Sequence, residues 1–274
     1  MPELPEVETI VNALAREMTG EQFTKIATFI EVIRYPLTLH KEPELLNSEI
    51  VTVRRRARYI IIELANRHCV VIHLGMSGSI RIVPQNEQRK KHEHVLFYLS
   101  NGETMRFDCP RRFGFIKTCI LPTAGAQPPF LVDLGLEPLS PKFTGRYFKT
   151  QTANRRGAVK NLLMNNSIVV GVGNIYVAEA MFAAGVRPDR LGISLTEAEC
   201  NKLVKEVKKV LRQSIKAGGT TFSDYRQVDG SEGKFVRELK IYGRAGEPCV
   251  KCNMEIVKST IGGRSSFTCP NCQK

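Results

Sequence analysis

Four cysteines near the end of the chain, Cys249-x2-Cys252-x16-Cys269-x2-Cys272, restrict its fold more than any other feature. Each Cys-x2-Cys turn presents two sulfurs to a common point, and two such turns supply the tetrahedral set that one zinc ion takes. Two pairs this close together form a ribbon or finger pattern, which disfavours a redox Cys-x2-Cys. The N-terminus reads MPELPEVET, with acids where a secretion signal has a basic start and an apolar core, so disulfides are the weaker reading. The other cysteines, at 69, 109, 119 and 200, are scattered and read as small buried hydrophobes.

A finger is too small to account for 274 residues, a length that suits about two domains and a core that needs no disulfide staples. No run of 18 or more apolar residues occurs, so no transmembrane helix is expected. The charge is lopsided, 40 Lys+Arg against 27 Asp+Glu, or +13. A field of that sign favours a polyanionic partner, most often nucleic acid, although a basic protein can also be merely soluble. The cysteine-rich end shares the bias: Lys240, Arg244, Lys251, Lys258, Arg264 and Lys274 face only Glu247 and Glu255. A metal-held hairpin carrying such charge suits DNA phosphates.

Upstream, three regions follow one another. Val7, Ile10, Val11, Leu14 and Met18 form an apolar stripe at helical spacing, and Pro5 suits the first helical position, which predicts a helix over 5–18. From about 25 to 120 the pattern becomes short β-branched runs: 27–33, 59–64, 69–73, 79–83, 95–99 and 115–120. Asn101-Gly102 separates VLFYL from TMRF, a hairpin signal. This spacing predicts an antiparallel sandwich or barrel. Residues 121–150 hold Pro122, Pro128, Pro129, Pro138 and Pro141 and read as a connection. Beyond 150 the pattern is helical. Ser194 with Glu197, or Thr196 with Glu199, offers a capping box, Leu203 to Ile215 form one apolar face, and Gly218-Gly219 ends the run. The lysines on the other faces read as a solvated surface. Gly171-Val172-Gly173-Asn174 opens a further helix at Ile175, and its spacing fits a tight helix–turn–helix or a phosphate site equally well. As a nucleotide-binding loop it fails, lacking the third glycine and a Lys-Ser/Thr.

MPELPEVE, RRRARYIIIEL (54–64), HLGMSGSIRI (73–82), PRRFG (110–114), VVGVGNIYVAEA (169–180), the segment from Gly218 to Gly243 and the four-cysteine module together resemble the bacterial formamidopyrimidine-DNA glycosylases. The likeness spans nearly the whole chain in one order. The sister endonuclease VIII branch typically has Gly where this chain has Leu4, which favours the oxidised-purine branch. The resemblance implies an α+β multidomain fold: a catalytic β-sandwich domain with an N-terminal helix over 1–132, a linker over 133–150, a helix–two-turn–helix domain with a lesion loop over 151–237, and a zinc finger over 238–274. It also implies a monomer in the bacterial cytoplasm, acting on damaged double-stranded DNA held in a cleft, with one structural zinc ion and no membrane.

The resemblance assigns chemistry residue by residue. With Met1 removed, Pro2 becomes a secondary amine that attacks the sugar C1′ and forms an iminium; a free α-amine titrates near ~7.7–8.0, so part of it is neutral at physiological pH. Glu3 is the general acid/base, and Glu6 holds the amine and its surroundings electrostatically. On spacing alone both are simply acids favoured at a helix N-terminus. The family has Lys where this chain has Arg58, which keeps the charge for phosphate but cannot readily give up a proton. Retained lesion binding with weakened excision of 8-oxoguanine is therefore expected. Met76, Arg111 and Phe113 match the residues that fill the gap left by an everted base. His92, Arg111, Arg155, Lys160, Asn174, Tyr242 and Lys258 match DNA contacts, and Arg264 matches the phosphate-binding arginine of δ-elimination. Thr220 to Phe235 matches the lesion-capping loop, expected to be the least ordered segment without DNA. Two other readings stand beside this one: an endonuclease VIII-like pyrimidine glycosylase, and a zinc-containing damage binder weakened in catalysis by Arg58.

Overall fold

The computed structural model describes residues 1–222 and 225–274. Ser223 and Asp224, in the expected lesion-capping loop, lie outside the described residues. The chain divides into two compact units, Met1–Val132 with Ala217–Lys234, and Asp133–Lys216 with Phe235–Lys274.

In the first unit, helix α1 (Leu4–Met18) buries Val7, Ile10, Val11, Leu14 and Met18, the predicted stripe. It starts one residue early, with Glu3 as its cap, which places Pro5 second in the helix. Eight strands follow: β1 (Phe23–Thr28), β2 (Ile50–Arg56), β3 (Tyr59–Leu64), β4 (His68–His73), β5 (Ser79–Pro84), β6 (Glu93–Leu99), β7 (Glu103–Asp108) and β8 (Phe115–Ile120). They form two four-stranded antiparallel sheets, ordered β1-β6-β7-β5 and β2-β3-β4-β8. Alternate residues of both sheets share one core. Ile60, Ile62, Val70, Ile72 and Ile116 of one sheet join Phe23, Val95, Phe97, Met105 and Phe107 of the other. This is the expected sandwich, and β6 and β7 form a hairpin around Asn101-Gly102, with Gly102 at φ 86°.

Two strands differ from the sequence reading. The run expected at 27–33 stops at Thr28, because beyond it Ile33 N–H turns back to the carbonyl of Tyr35, ahead of Pro36. Strand β2 escaped notice because its register shifts between Ile50 and Thr52, and this irregularity breaks the period of two that marks a strand. Ala217–Lys234 belongs with the sandwich rather than with the preceding helices, since Tyr225 and Val228 are buried in the sandwich core.

The second unit contains α2 (Gly145–Thr152), α3 (Val159–Leu163), α4 (Asn174–Ala184), α5 (Glu197–Lys216) and the hairpin β9 (Val257–Ile261) with β10 (Arg264–Thr268). α2 begins within the proline-rich stretch expected to be linker. The α5 start is the predicted Thr196–Glu199 box: Thr196 N–H donates to the Glu199 carboxylate at 2.8 Å, and Glu199 N–H donates to Thr196 Oγ1 at 3.2 Å. α4 is apolar on nearly every face and is buried accordingly. Its Ala178 and Phe182 pack with Ile241, Ile256, Phe267, Cys249 and Cys269, so the cysteine-rich end is built onto this helix.

Candidate active site and nucleic-acid interface

Pro2 is buried at the start of the chain, directly before the capping turn of α1. Glu3 and Glu6 close a reciprocal box: the Glu3 side chain accepts from the Glu6 N–H, and Glu3 N–H donates to Glu6 Oε2 at 2.8 Å. Glu6 Oε1 accepts a second backbone bond, from Thr220 N–H at 2.7 Å. One carboxylate therefore fixes both the backbone beside Pro2 and the segment after α5. Gly219 is required for this approach, since a Cβ there would meet Glu6 Oε1 and the Tyr225 ring at about 3 Å, at a φ of +86°. The Tyr225 hydroxyl donates to the carbonyl of Gly218, and burial, followed by the Glu6 charge, pushes its pKa well above the usual phenol value. Tyr225 thus stays neutral beside the carboxylate.

Arg58 lies in the two-residue turn between β2 and β3, where Ala57 takes a positive φ of 53°. The turn aims its guanidinium at the N-terminus, 3.7 Å from Met1 Sδ. His73, at the end of β4, was not singled out from the sequence. Its ring stacks on Phe115 at 5.3 Å and 14° and contacts Tyr59 at 5.1 Å. Its Nδ1 accepts from Gly75 N–H at 3.1 Å, which leaves Nε2 as the donor. Burial, then the charges of Arg58 and Arg34, hold its pKa down to about 4, so the ring is neutral at physiological pH. The signal was present: a lone polar residue closing an apolar strand and opening HLGMSGS.

Met76 and Phe113 are 41% and 49% exposed. Their loops meet at Gly75, where a Cβ would stand 2.4 Å from Gly114 N and 2.5 Å from Phe113 C. The Arg111 guanidinium lies over the Phe113 ring, 5.2 Å from its centre. Two apolar side chains and one cation are thus presented together from the ends of β4 and β8. His92 is half-buried, 6.1 Å from the ring of His94.

In the second unit the remaining residues gather at the β9–β10 hairpin. Gly262 and Gly263, at φ 58° and 72°, make its turn, and Arg264 follows it, exposed. Lys160 of α3 is only 1% exposed, and its Nζ donates to Ser265 O and Ser266 Oγ, both at 2.7 Å. Burial, then the Arg264 charge, lowers its pKa to about 8. Asn174, at the first turn of α4, donates from Nδ2 to Ser265 O at 3.1 Å. Both side chains therefore hold the strand that carries Arg264. Glu179 accepts from the N–H groups of Lys240, Ile241 and Tyr242 and so sets the chain entering the finger, where Tyr242 packs edge-on against Phe267 at 5.1 Å. Glu179 escaped the sequence reading, since an acid inside a helix gives no local sign of a distant cap. Lys258 and Arg155 are exposed.

Cys249, Cys252, Cys269 and Cys272 bring their sulfurs within 4.8 Å of one another. Sulfur pairs stand 3.9, 3.5 and 3.4 Å apart. A tetrahedral Zn–S length of about 2.3 Å requires sulfurs about 3.8 Å apart, a separation the four thiols approach closely enough to fit one such ion. Hydrogen bonds from the Asn271 side chain and the Met254 backbone lower the pKa of the Cys252 thiol, which favours the thiolate that a metal takes.

Sequence profiles match in the same order as these parts. The Formamidopyrimidine-DNA glycosylase N-terminal domain matches residues 1–116, the H2TH domain of the same enzymes 134–226, and the zinc finger found in FPG and IleRS 246–274. The Formamidopyrimidine-DNA glycosylase of Rickettsia bellii is 43% identical over 274 residues, covering both chains completely, and that of Rickettsia conorii is 42% identical over 276. Among solved structures, a Lactococcus lactis FPG mutant complexed with Fapy-dG-containing DNA superposes with a TM-score of 0.89 at 30% identity, covering 100% of both chains. The Lactococcus lactis enzyme complexed with abasic-site DNA covers 99% of both, also at 0.89. Together with the capped N-terminus, the paired loops at Gly75 and the four-cysteine cluster, these likenesses place the chain in the formamidopyrimidine-DNA glycosylase family.

Proposed function

We propose that this glycosylase excises oxidised purines from duplex DNA and then cuts the strand as an abasic-site lyase. The observation that carries the reading is the chain start: a buried Pro2 next to two carboxylates fixed by a reciprocal box, with the Arg58 guanidinium reaching Met1. Once Met1 is removed, the Pro2 nitrogen attacks C1′ of the everted nucleotide, and the C1′–base bond breaks as the leaving base takes up a proton. The resulting iminium acidifies the C2′ proton. Its removal expels the 3′ phosphate, and a second elimination expels the 5′ phosphate. Glu3 handles the proton at the sugar. Glu6, occupied by two backbone N–H groups, positions the nucleophile rather than transferring protons. Arg264 takes the phosphate in the second elimination, and Met76, Arg111 and Phe113 fill the vacated stack, with arginine facing the orphaned base. One zinc ion on the four cysteines holds the finger, and Arg155, His92, Tyr242 and Lys258 contact the backbone. Lys160 and Asn174 serve chiefly through the hairpin they hold. The protein acts as a monomer in the cytoplasm.

Borohydride trapping on an 8-oxoguanine:cytosine duplex tests the reading. A covalent complex through Pro2 is expected, and stoichiometric binding without one would reduce the protein to a damage binder. A pyrimidine-lesion activity has one supporting observation, a Lactococcus lactis enzyme complexed with oxidised-pyrimidine DNA. Parallel assays on thymine glycol distinguish the two specificities.

Arg58 separates the two half-reactions. Guanidinium binds phosphate but does not release a proton near neutral pH, so base departure is hindered more than elimination at a preformed abasic site. Arg58→Lys is expected to raise single-turnover excision of 8-oxoguanine by roughly 10-fold, a modest share of what proton transfer contributes. Cleavage of abasic DNA should move far less. Equal rates for the two proteins on 8-oxoguanine would remove residue 58 from proton handling.

A further inference from the structure

We propose that Cys69 and Cys119 form a dithiol modification site that hydrogen peroxide closes into an intrachain disulfide across β4 and β8. The two residues are direct partners in the antiparallel register, on the sheet face opposite the sandwich core. Their sulfurs are 3.1 Å apart. Direct antiparallel partners have Cα atoms about 4.5–5.5 Å apart, inside the range a disulfide spans, so bond formation needs side-chain movement of about 1 Å and no change of register.

The environment of the pair is asymmetric. Cys69 is fully buried, whereas Cys119 lies on the edge strand and is only partly buried. Either sulfur can donate in the contact between them. That shared hydrogen bond, together with burial, pushes the Cys69 thiol well above its ordinary pKa. Cys119, the sulfur that peroxide can reach from solvent, is thus the attacking thiolate, and the enclosed Cys69 is the resolving thiol. Cys109, by comparison, is buried, and burial raises its pKa.

The chemistry balances in two steps. The Cys119 thiolate attacks one peroxide oxygen, the O–O bond breaks, and the products are Cys119 sulfenic acid and hydroxide. Cys69 sulfur then attacks the sulfenic sulfur, the S–O bond breaks, and the hydroxyl group leaves as water with the Cys69 proton, while the hydroxide of the first step takes up the proton that the Cys119 thiol released to solvent. Two thiols are oxidised, and one peroxide is reduced to two waters. The bond would join the two strands whose ends carry the Met76 and Phe113 loops, and it would constrain the unfolded chain between positions 69 and 119.

The test uses the full-length, zinc-loaded protein, titrated with hydrogen peroxide, alkylated with maleimide and mapped as peptides without reduction. The expected result is a linked pair containing Cys69 and Cys119, formed before zinc leaves the finger, absent in Cys119→Ser and retained in Cys109→Ser. The oxidised wild type should melt about 5 °C higher, and dithiothreitol should reverse the shift. The wild-type map stands even if a variant fails to fold. The proposal is overturned if Cys69 and Cys119 remain alkylatable at doses that already eject zinc, or if Cys119 proceeds to sulfinic acid while Cys69 stays a thiol.

Discussion

Pro2→Leu should abolish the covalent borohydride-trapped complex and lower both base excision and strand cleavage by on the order of 10⁴-fold or more, as expected when a nucleophile is lost. A large second residue keeps Met1 in place, which moves the amine one residue outward and makes it primary. Leucine is otherwise tolerable there, because Pro2 is buried and its cap residue Glu3 keeps the helix start. Affinity for a duplex containing a tetrahydrofuran abasic analogue should persist, since the wedge and finger residues are untouched. Cleavage at the wild-type rate by protein shown to retain Met1 would refute the mechanism. Loss of both binding and cleavage would instead indicate a folding defect, which the melting temperature detects.

Cys269→Ser should strip the finger of its metal and lower duplex affinity by about 100-fold. Structural zinc contributes roughly 10–16 kcal/mol of apparent binding free energy to small sites of this type, and a two-stranded hairpin on its own is marginal in water. Cys269 is fully buried, and its N–H is held by Gln273, so a serine there loses a ligand without gaining solvent. With β9–β10 disordered, the phosphate contacts proposed for Arg264 and Lys258 would be lost, and the slope of log affinity against log salt should fall by about 2. Melting of the sandwich unit should stay within a few degrees. Metal analysis and salt-dependent binding check the claim together; unchanged affinity in zinc-free protein would show that the hairpin is dispensable for DNA.

Local chemistry made much of this legible. The α1 stripe, the Asn101-Gly102 hairpin, the Thr196 cap and the four cysteines each follow from neighbours a few residues apart, and each reappears in the structure. What escaped depended on distance along the chain. Glu179 caps residues some sixty positions later, and Glu6 accepts from Thr220 N–H. Lys160 resembles a surface cation in sequence, yet its ammonium is buried against Ser265 and Ser266. Cys69 and Cys119 read separately as two apolar residues, and only strand register makes them a pair. Strand β2 was hidden by the register shift that breaks its alternation.

The contact at Gly75 has a mechanical consequence. With no room for even a methyl group between the Met76 turn and the Phe113–Gly114 backbone, the two tips cannot be driven into a base step independently. Load placed on either is shared by an inner strand and an edge strand of the same sheet, so in the gap-filling role proposed for them the two side chains would meet the duplex as a blunt, stiff chisel rather than a pair of probing fingers. In that proposed role, damage would be sensed by how readily the stack yields to that fixed width.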